Sequence, residues 1–164
     1  MSGNTLDPYS GRYAQRTRGL AVSEIRALFS VANRPEVVSL AGGMPYTAAL
    51  PLDAVGAMLG ELVAHNGAAA LQYCAGQGDE RLRERIGDVM ALEGIAGASA
   101  DEVVVTVGSQ QALDLISRIF LDPGDVVLAE GPSYVGALGT FAAAEAEVVH
   151  VPLDGDGLIP AALS

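Results

Sequence analysis

Val103-Val104-Val105-Thr106-Val107-Gly108-Ser109-Gln110-Gln111-Ala112-Leu113 is the stretch whose reading decides the fold. The β-branched run 103–106 has the pattern of a strand buried on both faces. Gly108 then permits a tight backbone turn, and Leu113, Ile116 and Phe120 recur at helical spacing with an inward face expected. A strand that ends in a glycine turn and opens a helix brings free N–H groups and the positive end of the helix dipole to one point. Such a point suits an anion, above all a phosphate. Ser109 adds a hydroxyl donor. The competing reading is that Ser109 only caps the helix, and the residues alone leave both open.

Downstream, the alternation continues. Asp122-Pro123-Gly124-Asp125 reads as a turn, 126–129 as a strand, 132–144 as a helix and 147–151 as a further strand. Strands alternating with helices predict an α/β fold with a mostly parallel sheet covered on both faces. Asp154-Gly155-Asp156-Gly157 is another turn. Another helix then begins at Pro160, and an ending at Ser164 in mid-unit reads as truncation.

Upstream, Asp79 and Glu80 open a helix with Leu82, Ile86, Val89 and Met90 on one face and Asp79–Arg83 as a possible ion pair. Leu71 to Gly78 is extended, running into a Gly-rich loop. A helix starts at Pro51, presents Val55, Met58, Leu59 and Leu62, and closes at Asn66-Gly67. Val37-Val38-Ser39-Leu40 is strand-like. Ile25, Leu28, Phe29 and Ala32 give a helical stripe after Ser23, and residues 1–21 are a polar arm. The organisation expected is an arm over 1–22 followed by two segments, 23–70 and 71–164.

The chain has 164 residues with 9 basic and 20 acidic side chains, for a formal charge of −11. That balance disfavours non-specific nucleic-acid or anionic-membrane binding. All the basic residues are arginines; the sequence contains no lysine. No signal-peptide core or long uncharged apolar stretch is present. The single cysteine, Cys74, excludes an internal disulfide, fits a cytoplasmic setting, and reads as a core residue. His65 and His150 stand apart, and no metal-type cluster of Cys and His exists. Gly76-Gln77-Gly78-Asp79-Glu80-Arg81 imitates part of a dinucleotide fingerprint but has Arg81 where the third glycine belongs. Tyr134, after Gly131-Pro132-Ser133, falls at the C-terminal end of a strand, where ligands bind in parallel sheets. Its ring can stack on a flat cofactor or simply pack.

In order along the chain, these segments resemble the 2-aminoadipate/kynurenine-type branch of the class I/II aminotransferases, fold type I enzymes dependent on pyridoxal phosphate (PLP). The resemblance rests on Ser23-Glu24-Ile25-Arg26, on Leu40-Ala41-Gly42-Gly43-Met44-Pro45 with Leu50-Pro51, and on Leu71-Gln72-Tyr73 with Gly76, Gly78 and Leu82-Arg83. Gly108-Ser109-Gln110-Gln111-Ala112-Leu113-Asp114, Asp122-Pro123-Gly124-Asp125 and Glu130-Gly131-Pro132-Ser133-Tyr134 complete it. It implies the N-terminal part of that fold and a reaction moving an amino group from an amino acid to a 2-oxo acid. Gly108, Ser109 and Gln110 would hold the cofactor phosphate, Gln110 by side chain as well as backbone. Tyr134 would stack on the pyridine ring. Tyr73 would reach the cofactor of a neighbouring subunit, which implies a homodimer. Gly42 and Gly43 would line the substrate pocket, and Arg26 would contact the substrate's distal group.

The family also uses a lysine as Schiff-base partner and proton shuttle, because a primary amine is required. This sequence has none, so no catalytic residue is assigned and the chain is expected to be inactive alone. Two other classes compete. One is a non-catalytic module of the same fold. The other is the PLP-binding effector domain of a MocR-like transcription regulator, which the short stretch of about 22 residues before the match disfavours.

Overall fold

The computed structural model describes residues 8–9, 11–19, 31, 34, 36–38 and 45–163. The chain divides into two compact units, Ala32–Thr106 and a unit of Met1–Val31 with Val107–Ser164. The helical stripe expected after Ser23 and most of the strand-like run from Val37 lie outside the described residues; Val37 and Val38 are described and are not in a strand.

In the Ala32–Thr106 unit, helix α1 spans Leu52–Ala70 with Pro51 at its N-cap. Asn66 breaks the helical angles (φ −143°, ψ 22°) where the Asn-Gly pair predicts closure, and a short helical segment follows across the kink. The run Gly67-Ala68-Ala69-Ala70 carries it on, because alanine is the best helix former. The expected inner face of α1 is open: Val55, Met58, Leu59 and Leu62 are all exposed.

Helix α2 spans Glu80–Leu92. Asp79 caps it, its Oδ1 accepting from the Leu82 N–H at 3.1 Å. That use of Asp79 replaces the expected pairing with Arg83. Arg83 instead turns inward, 7% exposed, and its Nη1 donates to the Ala100 carbonyl at 2.6 Å. The inward face is therefore Arg83, Ile86, Gly87 and Met90, while Leu82 and Val89 are exposed. Arg83 thereby holds the turn at Ala100–Glu102, which a reciprocal Ser99–Glu102 capping box closes. Residues 103–106 follow in extended form without forming a strand. Extended backbone becomes a strand only when a neighbour completes a ladder. The Val105 N–H donates to Gln77 O at 2.8 Å, which binds this segment to the Gly-rich loop. Cys74, expected in the core, is exposed, because the extended stretch around it is uncovered; the adjacent Tyr73 is 98% exposed.

In the other unit, helix α3 spans Gly108–Phe120, strand β1 Val126–Gly131, helix α4 Val135–Ala143, strand β2 Glu147–Asp154 and strand β3 Gly157–Leu158. The Asp122-Pro123-Gly124-Asp125 turn forms as expected, the Asp122 N–H donating to Asp125 Oδ2 at 2.7 Å. Strands β1 and β2 pair in parallel from Val126↔Glu147 to Gly131↔Pro152, with α4 as the crossover helix. Strand β3 folds back antiparallel, Leu153 opposite Leu158. The sheet order is β1-β2-β3.

This α/β arrangement matches the expected class, with both strands longer than the sequence pattern showed. The expected cover on both faces is not met among the described residues. Val126, Leu128 and Val149 are exposed on one side, because a single βαβ crossover shields one face only. The inward face of α3 is also corrected. Ile116 and Phe120 are exposed, and the buried residue of α3 is Ser117 (3% exposed). Among the described residues no helix is long and apolar enough to cross a membrane.

Candidate cofactor-phosphate site

The site is built on the N-terminal turns of α3 and α4, both in one compact unit. Gly108 opens α3 with φ +70°, a left-handed angle that side-chain-bearing residues adopt only at a cost. Val107 is the N-cap and makes no side-chain capping bond; its N–H donates to Gln111 Oε1 at 2.5 Å. Ser109 is the second helical residue, so it does not cap from the N-cap position. The N–H groups of the first helical turn have no acceptor one turn earlier in their own helix and point outward along its axis. Residues 107–110 are all exposed, which leaves this end of α3 accessible to an anion.

Tyr134 is the N-cap of α4, at the end of the loop leaving β1, and is 60% exposed. Its ring lies beside Gly136 and the Gln110 side chain: a Cβ placed on Gly136 would fall 2.5 Å from Tyr134 Cε1 and closer still to Gln110 Oε1. The Tyr134 ring therefore lies near the side chain of Gln110, a residue of the first turn of α3. Gln110 Nε2 donates to the Gly136 carbonyl at 3.1 Å and to Thr140 Oγ1 at 2.5 Å. Both amide hydrogens are thus committed to α4. This departs from the expectation that the Gln110 side chain faces a phosphate; its backbone N–H remains on the first turn.

A donor turn beside an aromatic shelf fits a flat, phosphorylated cofactor, since the turn offers backbone N–H groups and a hydroxyl to the anion and the ring offers a π-face. Tyr73 belongs to the Ala32–Thr106 unit, its backbone N–H donating to Gln72 Oε1 at 2.9 Å. Arg26, Gly42 and Gly43 lie outside the described residues. His65 and His150 contact main-chain carbonyls, Glu61 O and Glu130 O respectively. Among the described residues no group of His, Cys, Asp or Glu could hold a metal ion.

A cleft of about 230 Å³, lined by Arg16, Asp114, Ser117, Arg118, Thr140 and Glu145, sits along the C-terminal half of α3, away from the turn. Arg118 there is already paired with Asp114 at 2.8 Å, and the Ser117 hydroxyl is sealed from solvent. Sequence reasoning missed Gly136 and Thr140. The available signal was a glycine in the first turn of a helix with a threonine four residues on.

Fold and site together define an α/β protein in which an exposed helix N-terminus lies near the side chain of Tyr134. Residues 35–160 match the model of the family "Aminotransferase class I and II", and the chain belongs to that family. It is 38% identical over 158 residues to aromatic-amino-acid aminotransferase 1 of Thermococcus litoralis, covering 96% of this chain and 38% of that protein. A solved kynurenine aminotransferase of Pyrococcus horikoshii, in complex with PMP, superposes with a TM-score of 0.83 at 34% identity, over 98% of this chain and 39% of that one. The α-aminoadipate aminotransferase of Thermus thermophilus, complexed with N-(5'-phosphopyridoxyl)-L-leucine, gives 0.82 at 32% identity, over 94% of this chain and 37% of that one. The probable rhizopine catabolism regulatory protein MocR of Rhizobium meliloti is 27% identical over 123 residues, 75% of this chain and 25% of that protein. The fold is therefore that of the fold type I aminotransferases, and the chain spans about 38% of the length of the first of these relatives. Pyridoxal phosphate is the cofactor expected of the family.

Proposed function

We propose that this chain supplies the phosphate turn and ring shelf of a PLP-dependent aminotransferase, which transfers an amino group from an amino acid to a 2-oxo acid. The observation that carries the reading is the exposed N-terminus of α3, opened by Gly108 at φ +70°, with the Tyr134 ring beside it. When bound, PLP supplies the conjugated ring that draws electrons from the amino acid's Cα. The chain's residues bind and orient it. Gly108, Ser109 and Gln110 present backbone N–H groups, and Ser109 its hydroxyl, to the phosphate dianion, whose charge the helix terminus favours. Tyr134 stacks on the ring and fixes its plane. Arg26, Gly42 and Gly43 face the substrate, and residues 71–164 form the first part of the PLP-binding domain.

Tyr73 reaches the cofactor phosphate of a second copy in a homodimer. Its near-complete exposure within its own unit supports that role. A cytoplasmic setting fits the single cysteine. The similarity to MocR supports a second reading, a PLP-binding effector domain of a transcription regulator. Its identity is lower than that of the enzymes, and it calls on the same phosphate turn.

Ser109→Ala removes one hydrogen bond to a charged group, so retention of the cofactor should weaken by about 1.5–3 kcal/mol. Equilibrium dialysis against pyridoxine 5'-phosphate measures this, because the alcohol cannot react with the amino terminus. Unchanged affinity would remove Ser109 from the site. In the same assay Tyr134→Phe should keep most of the binding and Tyr134→Ala should lose it. Equal losses in the pair would assign the effect to the hydroxyl rather than to stacking.

A further inference from the structure

Three hydrogen bonds close a small ring between α3 and α4. Gln110 Nε2 donates to Gly136 O and to Thr140 Oγ1, and Thr140 Oγ1 itself donates to Gly136 O at 3.1 Å. Thr140 is 6% exposed, among the few buried polar residues described, and its hydroxyl both accepts and donates within the ring. A hydroxyl buried between two helices is retained at a desolvation cost unless its bonds are made, and here they are. The ring has a steric counterpart, because a side chain on Gly136 would meet Gln110 Oε1 and the Tyr134 ring and one of those side chains would have to shift. Gln110 adjoins Ser109, and Gly136 stands two residues from Tyr134. The ring therefore joins the turn that would take the phosphate to the residue that would take the pyridine.

We propose that Thr140 is a positioning residue of this site: with Gly136 it fixes, through Gln110, the spacing between the phosphate turn at Ser109 and the ring of Tyr134. The proposal rests on the cofactor reading above. A ligand gripped at both points feels that spacing, whereas a ligand gripped only by the turn does not. Thr140→Val keeps the shape and removes the hydroxyl, so Gln110 loses an acceptor and Gly136 O a donor. Thr140→Ser restores both.

The test measures binding of two probes, pyridoxine 5'-phosphate by equilibrium dialysis and inorganic phosphate by 31P NMR, to the unsubstituted chain, Thr140→Val and Thr140→Ser. Thr140→Val should bind pyridoxine 5'-phosphate about tenfold more weakly, the scale of one lost hydrogen bond, and inorganic phosphate as before. Thr140→Ser should regain the affinity. Equal binding of pyridoxine 5'-phosphate by Thr140→Val and the unsubstituted chain overturns the proposal. So does a matching loss for both probes, which would make Thr140 a general support of α3. Binding of neither probe by the unsubstituted chain overturns the cofactor reading itself, and the positioning role with it.

Discussion

Purified chain incubated with PLP, 2-aminoadipate and 2-oxoglutarate should form glutamate no faster than free PLP does. Enzymatic acceleration is typically about a millionfold or more, so the expected deficit is many orders of magnitude. The reason is chemical. Transamination needs a primary amine to hold the cofactor and to move the proton at Cα. All nine basic side chains here are arginines, whose guanidinium stays protonated and cannot act as that amine. The residues proposed for the site would grip a phosphate and a ring; none of them is a base at the reacting carbon. Glutamate production above the free-cofactor rate, or a borohydride-stable adduct on a side chain, would contradict the account.

Gly78→Ala should destabilise the Ala32–Thr106 unit by about 2–4 kcal/mol, from a strained left-handed backbone together with overpacking. Gly78 has φ +103°, and a Cβ there would lie 2.6 Å from Val105 Cγ2 and 2.7 Å from Val105 Cβ. Val105 cannot withdraw easily, since its N–H is bonded to Gln77 O in the same loop. Gly76→Ala is the control: nothing lies within 4 Å of the added methyl, so the effect should stay within about 0.5 kcal/mol. Urea unfolding followed by circular dichroism compares the two. Similar midpoints for both variants would show that the loop does not need a glycine at 78.

The turn and helix start at Gly108 were legible in residues 103–113, because a glycine between an apolar run and a helical pattern is a local signal. The Asp79 cap, the Asp122–Asp125 turn and strands β1 and β2 were legible for the same reason: each depends on a few adjacent residues. The faces were not legible. Periodicity shows which residues are apolar but not what covers them, so Ile116 and Phe120 were expected inside where Ser117 is buried, and Leu82 where Arg83 is. Residues 103–106 have the composition of a strand, yet no described partner completes a ladder with them. The Ser99–Glu102 capping box is present in the sequence as Ser-x-x-Glu, but the run that follows it, Val103-Val104-Val105, has strand rather than helix composition and hides the signal. The Gln110–Thr140 bond spans thirty residues, and no local pattern announces such a contact. Arg26, Gly42 and Gly43 rest on the family resemblance alone.

The central claim is that the N-terminus of α3 binds the phosphate of a pyridoxal-type cofactor while Tyr134 holds its ring. The most direct measurement is a 1H–15N NMR titration of the chain with pyridoxine 5'-phosphate, with unphosphorylated pyridoxine in parallel. The account predicts saturable shifts of the Gly108, Ser109 and Gln110 amides and of Tyr134 with the phosphorylated compound, and far weaker ones with pyridoxine. Shifts of equal size with both compounds, or shifts that leave Gly108–Gln110 unmoved, would contradict it.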